Sequence, residues 1–324
     1  MNILVTGGAG FIGSHLVDSL IDDGYKVFVI DNLSSGRMEY LRKCIENPSM
    51  CRYKICDIKD PGCLDNIDLR FDLIYHLAAN PDVRASSMNP ESNFNENLVA
   101  TFRVLEFMRK RDVSKIIFTS SSTVYGDAEK IPTPEDHPIK PVSIYGACKA
   151  SGEIMIQTYS RLYNFSSVIL RLANIIGPRS THGVVYDFIR KLMRNPRELE
   201  ILGDGSQRKS YLYIDDTIKA LKLSAEILER RDLAKNSVYV LNVGNEDWIS
   251  VRDIADIVIN EMGLENVKIN YKPATSDGRG WPGDVKLMLL DISRIKSLGW
   301  SPRLSSYDAV RLTARSLIRE LASL

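Results

Sequence analysis

The sequence opens with an apolar segment, a glycine-rich turn and an amphipathic segment, and this order restricts the fold more than any other feature. Residues 2–6 predict a short buried strand, and residues 11–23 predict a helix. Between them stands Thr6-Gly7-Gly8-Ala9-Gly10-Phe11-Ile12-Gly13. Glycines let the backbone turn tightly and approach a pyrophosphate, and the start of the helix offers N–H groups to the anion. The turn therefore predicts a dinucleotide site. Its cofactor-binding residues would be Gly7, Gly10, Phe11, Ile12 and Gly13.

Strands and helices alternate over the first half of the chain. Strands are also predicted at 26–30, 71–77, 114–119 and 166–172, with helices near 92–110 and 145–163. This alternation predicts an α/β fold, a Rossmann-type doubly wound parallel sheet covered by helices on both faces. After about residue 173, frequent turn signals predict a smaller, interleaved C-terminal substrate domain.

The predicted boundary between the two domains is not a single cut. Segment 238–243 is apolar enough to return to the main sheet. We therefore expect residues 1–173, together with 211–247, to form the dinucleotide-binding domain. Residues 174–210 and 248–324 would form the second domain.

Charge and hydropathy exclude several classes of partner. Lys and Arg total 42 and Asp and Glu total 41, a net charge of +1, which favours neither a nucleic-acid partner nor a membrane surface. No stretch reaches the roughly 20 apolar residues of a membrane-spanning helix, and no leader pattern stands at the start. These features predict a cytoplasmic protein that contacts no membrane.

The chain has five cysteines, four of which lie between positions 44 and 63. They are Cys44, Cys51, Cys56, Cys63 and Cys148. An odd number without paired spacing predicts free thiols in a reducing compartment. The clustering suggests a metal site as an alternative, but no Cys-x-x-Cys pair occurs and the four histidines lie far apart, so no metal site is predicted.

An acidic residue closes the second predicted strand, 18 positions after Gly13. This carboxylate, Asp31, would accept hydrogen bonds from the adenosine ribose and would repel a 2′-phosphate, which predicts NAD as the cofactor. Arg37 and Arg42 lie near it and keep NADP open. Three further residues are expected at the adenosine end, with a solvated loop as the alternative for Asp57. They are Asn32, Asp57 and Ile58.

The pair Tyr145 and Lys149 has the i, i+4 spacing that places two side chains on one helix face. A tyrosine with a pKa near 10 is a poor base, and lowering that pKa by about 3 units requires roughly 4 kcal/mol. One cation about 6 Å away supplies roughly 2.8 kcal/mol at an effective dielectric near 20. Lys149 would therefore need the positive nicotinamide ring of NAD⁺ to make Tyr145 a base. Residues 118–126, at the end of the fifth strand, offer serines that would hold a substrate hydroxyl; a polar turn is the alternative reading.

Taken together, these segments resemble the extended short-chain dehydrogenase/reductases, and among them the UDP-glucose 4-epimerases of the archaeal type. The resemblance covers nearly the whole chain. It is most specific at Gly7–Gly13, His76-Leu77-Ala78-Ala79-Asn80, Asn97, Ser120–Gly126, Tyr145–Lys149, Arg171-Leu172-Ala173-Asn174 and Tyr213-Ile214-Asp215-Asp216.

The resemblance implies roles for individual residues. Tyr145 would be the base, Lys149 its activator and a ligand of the nicotinamide ribose, and Ser121 their partner, with Ser122 as the second choice. Further cofactor contacts are implied at Leu77, Ala78, Ala79 and Asn97. Substrate contacts are implied at Ser121, Asn174, Arg208, Tyr211, Arg279, Asp284 and Met288. Among these, Tyr211 would stack on uracil, Asp284 would hold the uridine ribose and Met288 would line the sugar pocket.

Some positions depart from the family pattern. Related 4,6-dehydratases carry Asp-Glu after the serine or threonine, whereas this chain has Ser122 and Thr123, which cannot act as that acid–base pair. Pro81 stands where many epimerases have a lysine, with Arg84 as a possible substitute. The stretch Arg208-Lys209-Ser210-Tyr211 leaves open which cation meets the diphosphate.

The implied activity is the interconversion of UDP-glucose and UDP-galactose through a 4-keto sugar, with the UDP-sugar between the domains and NAD retained throughout. Epimerisation of another nucleotide sugar (UDP-GlcNAc or UDP-GalNAc, a pentose or a uronic acid), and a reductase or dehydratase on the same scaffold, remain alternatives.

A homodimer through the helices near 92–110 and 145–163 is also expected, because the first helix carries two apolar stripes. One stripe is Leu98, Phe102 and Leu105, and the other is Ala100, Val104 and Phe107. Burial of one stripe under the second domain is the alternative.

Overall fold

A computed structural model describes residues 1–230 and 236–322. The chain forms two compact units. The first consists of residues 1–124, 144–171 and 218–241, and the second of residues 125–143, 172–217 and 242–324. The units differ from the predicted segments mainly at 125–143, which belongs to the second unit although it precedes the predicted boundary.

The strands and helices follow the predicted alternation and add several short elements. The strands are β1 (Asn2–Thr6), β2 (Lys26–Asp31), β3 (Cys51–Ile55), β4 (Leu73–His76), β5 (Lys115–Ser121), β6 (Ser166–Leu172), β7 (Asn174–Ile176), β8 (Glu198–Leu202), β9 (Arg208–Lys209), β10 (Tyr211–Tyr213), β11 (Val238–Val243), β12 (Ile249–Ser250), β13 (Lys268–Lys272) and β14 (Leu287–Met288). The α-helices are α1 (Phe11–Asp22), α2 (Arg42–Glu46), α3 (Pro61–Asp65), α4 (Pro90–Asn93), α5 (Ala100–Arg111), α6 (Ile144–Tyr163), α7 (Val184–Arg194), α8 (Ile214–Glu229), α9 (Val251–Glu261), α10 (Ser293–Ser297) and α11 (Ser306–Ala322). Short 3₁₀ turns span Met38–Leu41, Ala85–Ser87 and Ser122–Tyr125.

The main sheet has seven strands in the order β11-β6-β5-β4-β1-β2-β3. β1 pairs in parallel with β2 on one side and with β4 on the other. The direction of winding therefore reverses between β1 and β4, the position where open α/β sheets bind ligands at the carboxyl ends of their strands. The predicted return of segment 238–243 to this sheet is confirmed.

The core of the first unit lies on the sheet faces under the helices. β1 and β4 are almost completely buried because their side chains face helices on both sides. Phe28, Phe71 and Phe107 form a chain of tilted rings, with centroids 5.9 and 6.3 Å apart, between the sheet and α5. This packing holds α5 against the sheet.

The helix predicted near 92–110 is not a regular α-helix. It consists of α4, a π-helical segment at Phe94–Val99, and α5. The prediction of two separate stripes is wrong at Leu105, which is completely buried beside Val104. The reason is that the core-facing side of α5 is one wide apolar arc, and this arc includes Leu105. Phe102 stays exposed, at 38%.

The second unit has its own core. β8 pairs in parallel with β13, and β9 pairs with both β12 and β14. Apolar residues of α7, α9 and α11 pack together in this unit. Ser250 begins α9 in a capping box with Asp253, which satisfies two N–H groups at the helix start.

The prediction of free thiols is wrong for four of the five cysteines. Disulfides join Cys44 to Cys51 and Cys56 to Cys63, each across seven positions. The turns on either side of β3 bring the Cα atoms of each pair to 5.0 and 5.7 Å, within the range that a disulfide spans. Cys148 remains a buried thiol.

Within residues 1–230 and 236–322, no three His, Cys, Asp or Glu side chains are grouped closely enough to hold a metal ion. In the same part of the chain, none of the helices combines the length and the apolar character needed to cross a lipid bilayer.

Candidate active site

The glycine-rich turn joins β1 to α1 and depends on the absence of side chains. Gly7 has φ +71°, and a Cβ there would lie 2.7 Å from the backbone nitrogen of Ala78. A Cβ on Gly13 would lie 2.0 Å from the Gly7 carbonyl oxygen. The turn, the helix start and the segment after β4 therefore pack backbone against backbone. This close approach leaves the N-terminus of α1, which begins after Gly10, open to an anion.

Asp31 ends β2 directly beside this turn. One carboxylate oxygen accepts the Ala9 N–H at 2.9 Å, and the other accepts the Leu33 N–H at 2.8 Å. Burial raises the pKa of Asp31, and these N–H donors act in the opposite direction. Because each carboxylate oxygen can accept more than one hydrogen bond, both keep room for a hydroxyl donor. Its position and acceptors fit the ribose of a dinucleotide.

The other predicted adenosine residues are connected to the end of β2. Asn32 follows Asp31 in the chain, and its side chain contacts Asp57. The Asn32 amide donates to the Asp57 carboxylate at 3.2 Å. Although burial favours the neutral acid, hydrogen bonds from Lys59 and Asn32 hold the pKa of Asp57 below its usual range. Ile58, the next residue, is buried in the core of the first unit. Asp57 is therefore tied to the segment that follows β2, unlike the solvated loop aspartate of the alternative.

The two arginines that kept NADP open already have other contacts. Arg42 pairs with Glu46 at 2.7 Å on the surface of α2. The Arg37 guanidinium lies 5.9 Å from the centre of the Tyr40 ring. Each of these guanidinium groups therefore already has a partner other than Asp31.

A buried chain of hydrogen bonds connects the loops after β1 and β4. The Ala78 N–H donates to the Thr6 hydroxyl, which donates to His76 Nδ1 at 2.8 Å. His76 Nε2 donates to the Thr101 hydroxyl at 3.0 Å, and that hydroxyl donates to the Asn97 carbonyl. These partners assign a neutral imidazole with its proton on Nε2. Burial, with a smaller effect of Lys149, lowers the pKa of His76 to about 3.

Asn97 lies in the π-helical segment, and its side chain forms hydrogen bonds with the backbone of the neighbouring loop. Its amide oxygen accepts the Asn80 N–H at 2.9 Å, and its amide nitrogen donates to the Asn80 carbonyl and to Asn93. The side chain therefore shapes the Leu77–Asn80 segment, which would bring Leu77, Ala78 and Ala79 to the cofactor through their backbone.

The predicted catalytic residues meet at the start of α6. Ser121 accepts hydrogen bonds from the Thr123 N–H at 3.2 Å and from the Thr123 hydroxyl at 3.0 Å. A serine hydroxyl has two acceptor positions and one donor, so the remaining proton is available to the Tyr145 oxygen. The hydrogen bond between Ser121 and Tyr145 supports Ser121, rather than Ser122, as the tyrosine's partner.

Lys149 lies one turn after Tyr145 and is buried. Its Nζ atom donates to the Thr119 carbonyl at 2.8 Å and lies 5.8 Å from the centre of the Tyr145 ring. Burial lowers the pKa of Lys149 to about 8, against smaller opposing effects of Cys148 and Glu153.

The required activation of Tyr145 is larger than the sequence predicts. Burial raises the pKa of Tyr145 to about 12, and the hydrogen bond from Ser121 lowers it only in part. The prediction started from an exposed tyrosine and left out this effect of burial. A second positive charge at the nicotinamide position is therefore needed even more than the sequence argument indicates.

One buried carboxylate beside the site was not predicted. Glu153, one turn after Lys149, accepts a hydrogen bond from the Ser120 hydroxyl and pairs with Arg171. The available signal was its position on the same helix face as Tyr145 and Lys149, at i+8 and i+4.

In the second unit, the pairing of β9 with β14 gathers several predicted substrate residues. Met288 lies opposite Lys209 in this pairing and is nearly buried. Asp284 pairs with Lys209 at 2.7 Å and accepts the Gly280 N–H. The Lys209 ammonium also lies 5.7 Å from the centre of the Trp281 ring.

Three cations of this unit are candidates for the contact with the diphosphate. Arg208, the predicted residue, is exposed on β9, whereas the neighbouring Lys209 contacts Asp284. Arg279 is held between the carboxylates of Asp127, at 2.9 Å, and Asp277, at 2.7 Å. Lys209 therefore contacts a predicted substrate residue, and its place in the stretch that departs from the family pattern was the signal for it in the sequence.

The remaining predicted substrate residues have structural contacts. The Asn174 amide donates to the Ser210 carbonyl at 3.1 Å. Tyr211 is only 4% exposed and belongs to the core of the second unit, where burial and the Asp284 charge raise its pKa. This placement does not support stacking of Tyr211 on uracil, because the core covers its ring.

The chain is similar to known epimerases over almost its full length. A UDP-glucose 4-epimerase of Mycolicibacterium smegmatis is 33% identical over 320 residues, 97% of each protein. Among solved structures, a UDP-galactose 4-epimerase is 47% identical with a TM-score of 0.87, covering 99% of this chain and 100% of the other. The UDP-glucose 4-epimerase of Thermotoga maritima, solved with UDP-glucose, is 34% identical with a TM-score of 0.86 over 99% and 100% of the two chains.

The family assignment agrees with the geometry of the site. Residues 3–244 match the NAD dependent epimerase/dehydratase family. This range includes the glycine-rich turn, Asp31 and the Ser121–Tyr145–Lys149 group. The chain is therefore an enzyme that belongs to the NAD-dependent epimerase/dehydratase family.

Proposed function

We propose that the enzyme interconverts UDP-glucose and UDP-galactose by epimerisation at C4. The observation that carries this proposal is the ordered donor chain from Thr123 through Ser121 to Tyr145, with Lys149 buried beneath the tyrosine. This arrangement supports Tyr145 as the proton acceptor for a sugar hydroxyl. The names of the similar proteins support the same sugar nucleotides.

In this proposal Tyr145 removes the proton of the 4′-hydroxyl and later returns it. Ser121 donates a hydrogen bond toward the reacting oxygen atoms, and Lys149 holds positive charge beside the phenolate. NAD, when bound, supplies the reversible oxidation that converts the C4 alcohol to a ketone and back. The 4-keto sugar turns about its bond to the diphosphate between the two steps, so that its opposite face is reduced.

Residues of this chain suit epimerisation better than elimination of water. A dehydratase needs an additional acid–base pair after the serine, and this chain has Ser122 and Thr123 there. Thr123 uses both its N–H and its hydroxyl to hold Ser121. In this proposal Thr123 therefore orients the partner of Tyr145.

Residues of the second unit would bind the nucleotide. We assign the uridine ribose to Asp284 and the diphosphate to Lys209 or Arg279, whose positive charges lie close to Asp284. The Trp281 Nε1 atom is buried and finds no acceptor among the described residues. An oxygen of the bound nucleotide would satisfy this donor.

The test is product analysis by chromatography after incubation of the purified protein with UDP-galactose, with no cofactor added. We expect UDP-glucose to accumulate to equilibrium, and we expect Tyr145→Phe to lower turnover by at least about 10²-fold while UDP binding is largely kept. Lack of UDP-glucose with the wild-type protein would refute the proposed substrate. A panel of UDP-GlcNAc, UDP-pentose and UDP-uronic acid would then identify the sugar.

We also infer a homodimer formed by the first unit. Large apolar side chains stay exposed on the segment before α5 and on α6: Phe94 (49%), Ile154 (58%) and Leu162 (64%). A second copy is the occupant that the four-helix interfaces of the resembling family suggest. Light scattering at micromolar concentration should give twice the chain mass. Leu162→Glu should reduce it to one chain, whereas Met193→Glu, at an apolar position of the second unit that is also exposed (48%), should not.

A further inference from the structure

Three consecutive residues at the end of β5 each contact a different turn of α6. Ser121 contacts Tyr145, the Thr119 carbonyl accepts Lys149, and the Ser120 hydroxyl donates to Glu153 at 2.5 Å. The α6 residues follow at i, i+4 and i+8, so they share one face of the helix. The first two contacts involve the proposed catalytic residues. The third has no part in the chemistry described so far.

Glu153 and Arg171 form a buried ion pair behind the site. Glu153 is completely buried and Arg171 is 4% exposed. Arg171, on β6, binds both carboxylate oxygens, with Nε at 3.0 Å from one and Nη2 at 2.7 Å from the other. A bidentate pair fixes both distance and orientation, whereas an ion pair of this depth adds little to stability compared with apolar residues. A contribution to stability therefore does not explain the geometry of the Glu153–Arg171 pair.

We propose that Glu153 is a positioning residue. Through its contacts with Ser120 and Arg171 it holds α6 at a fixed position along β5, and this position sets the contacts of Tyr145 and Lys149. The inference rests on the proposed function. A shift of α6 by a fraction of an ångström would lengthen the Lys149 contact to Thr119 and the Tyr145 contact to Ser121 together. Such small displacements reduce rate strongly where a proton must be transferred between fixed groups.

The negative charge of Glu153 also helps to keep Lys149 protonated, because it raises the pKa of Lys149. It opposes the burial that lowers the pKa of Lys149. The other groups that face Lys149 do not replace it: His76 is neutral, because its pKa is about 3, and the Thr119 and Phe118 contacts carry no charge. Cys148 also raises the pKa of Lys149, more than Glu153 does, and it is unchanged in every variant below. Loss of the Glu153 charge should therefore let Lys149 lose its proton at lower pH.

The test compares three variants with the wild-type holoenzyme. Glu153→Gln keeps an acceptor for Ser120 and removes the charge. Glu153→Gln combined with Arg171→Met removes both charges with little change in volume, which protects the fold if the single variant is unstable. Ser160→Ala is the matched control, because it removes a buried 3.1 Å hydrogen bond to Ser167 that also joins α6 to β6.

We expect both Glu153 variants to lower kcat by about tenfold or more with KM within about twofold, since the loss is confined to the reacting geometry. In Glu153→Gln, which leaves the Arg171 charge in place, the alkaline limb of the kcat profile should move at least about half a pH unit lower. Ser160→Ala should reduce Tm without either change. Wild-type kcat in both Glu153 variants, with an unmoved alkaline limb in Glu153→Gln, would overturn the proposal, as would the same changes in Ser160→Ala.

A second measurement does not depend on turnover. In protein labelled with ¹³C at the lysine ε-carbon, the Lys149 signal is identified by its loss in Lys149→Met, and its titration gives the Lys149 pKa directly. A lower value in Glu153→Gln supports the proposal, and an unchanged value in that variant refutes it. A wild-type protein that epimerises no UDP-sugar would contradict the proposed function, and this titration would still decide the role of Glu153.

Discussion

The Cys56–Cys63 disulfide should contribute directly to cofactor binding. It closes a loop of eight residues that contains Asp57 and Ile58, two predicted contacts of the adenosine end. A closed loop of this size removes about 2.5 kcal/mol of chain entropy from the open state. If NAD binding had to order the whole loop in the absence of the disulfide, its affinity would fall by about 70-fold.

The loop keeps other restraints, so the expected loss is smaller. The Lys54 ammonium donates to the Cys63 carbonyl at 2.8 Å, and Asn32 still contacts Asp57. We therefore expect the double substitution of Cys56 and Cys63 by Ala to raise the NAD dissociation constant about tenfold. Calorimetric titration of NAD into cofactor-depleted protein, in buffer without reductant, measures this change.

The Cys44–Cys51 disulfide supplies a matched control. It spans the same seven positions, so its loop entropy is the same, but it joins α2 to β3 and encloses no predicted cofactor residue. Its double substitution by Ala should lower Tm by an amount similar to the Cys56 and Cys63 variant, and it should leave NAD affinity within about twofold. Equal losses of affinity in the two variants would refute the argument that the loop acts on the adenosine site.

Three further predictions concern single residues. Turnover should fall as pH rises through about 8, because Lys149 then loses the proton that stabilises the phenolate; a rate that stays constant to pH 10 would contradict this. Asp31→Asn should raise the affinity for NADP relative to NAD by about tenfold or more, measured by titration of both nucleotides, since a carboxylate repels the 2′-phosphate. Met288→Tyr should lower kcat/KM for UDP-GalNAc relative to UDP-galactose, and an unchanged ratio would show that Met288 does not face the sugar.

Much of the first unit could be predicted because its signals are local. The glycine-rich turn lies between a strand and a helix, and residues 166–172 and 238–243 form strands with the predicted bounds. The hydrophobic periodicity of a segment indicates which of its own faces is buried. When strands alternate with helices, the connection rules for parallel sheets allow only a few strand orders. For the same reason, the i, i+4 spacing of Tyr145 and Lys149 was enough to place them on one face.

The unpredicted features depend on contacts between distant segments. The seven-residue spacing of the cysteines shows a disulfide only when the turns around β3 are known. Glu153 looks like an ordinary helix residue until Arg171, 18 positions later, meets it from β6. Burial of Tyr145 and Tyr211 likewise comes from packing that neither residue's neighbours in the chain reveal.

The late position of β11 in the chain has a consequence for synthesis on the ribosome. The predicted catalytic and cofactor residues, from Gly7 to Lys149, emerge before residue 150, but β11 is translated only at Val238–Val243. Until then β6 is the last strand on its side of the nascent sheet, with an open edge that could pair with another chain.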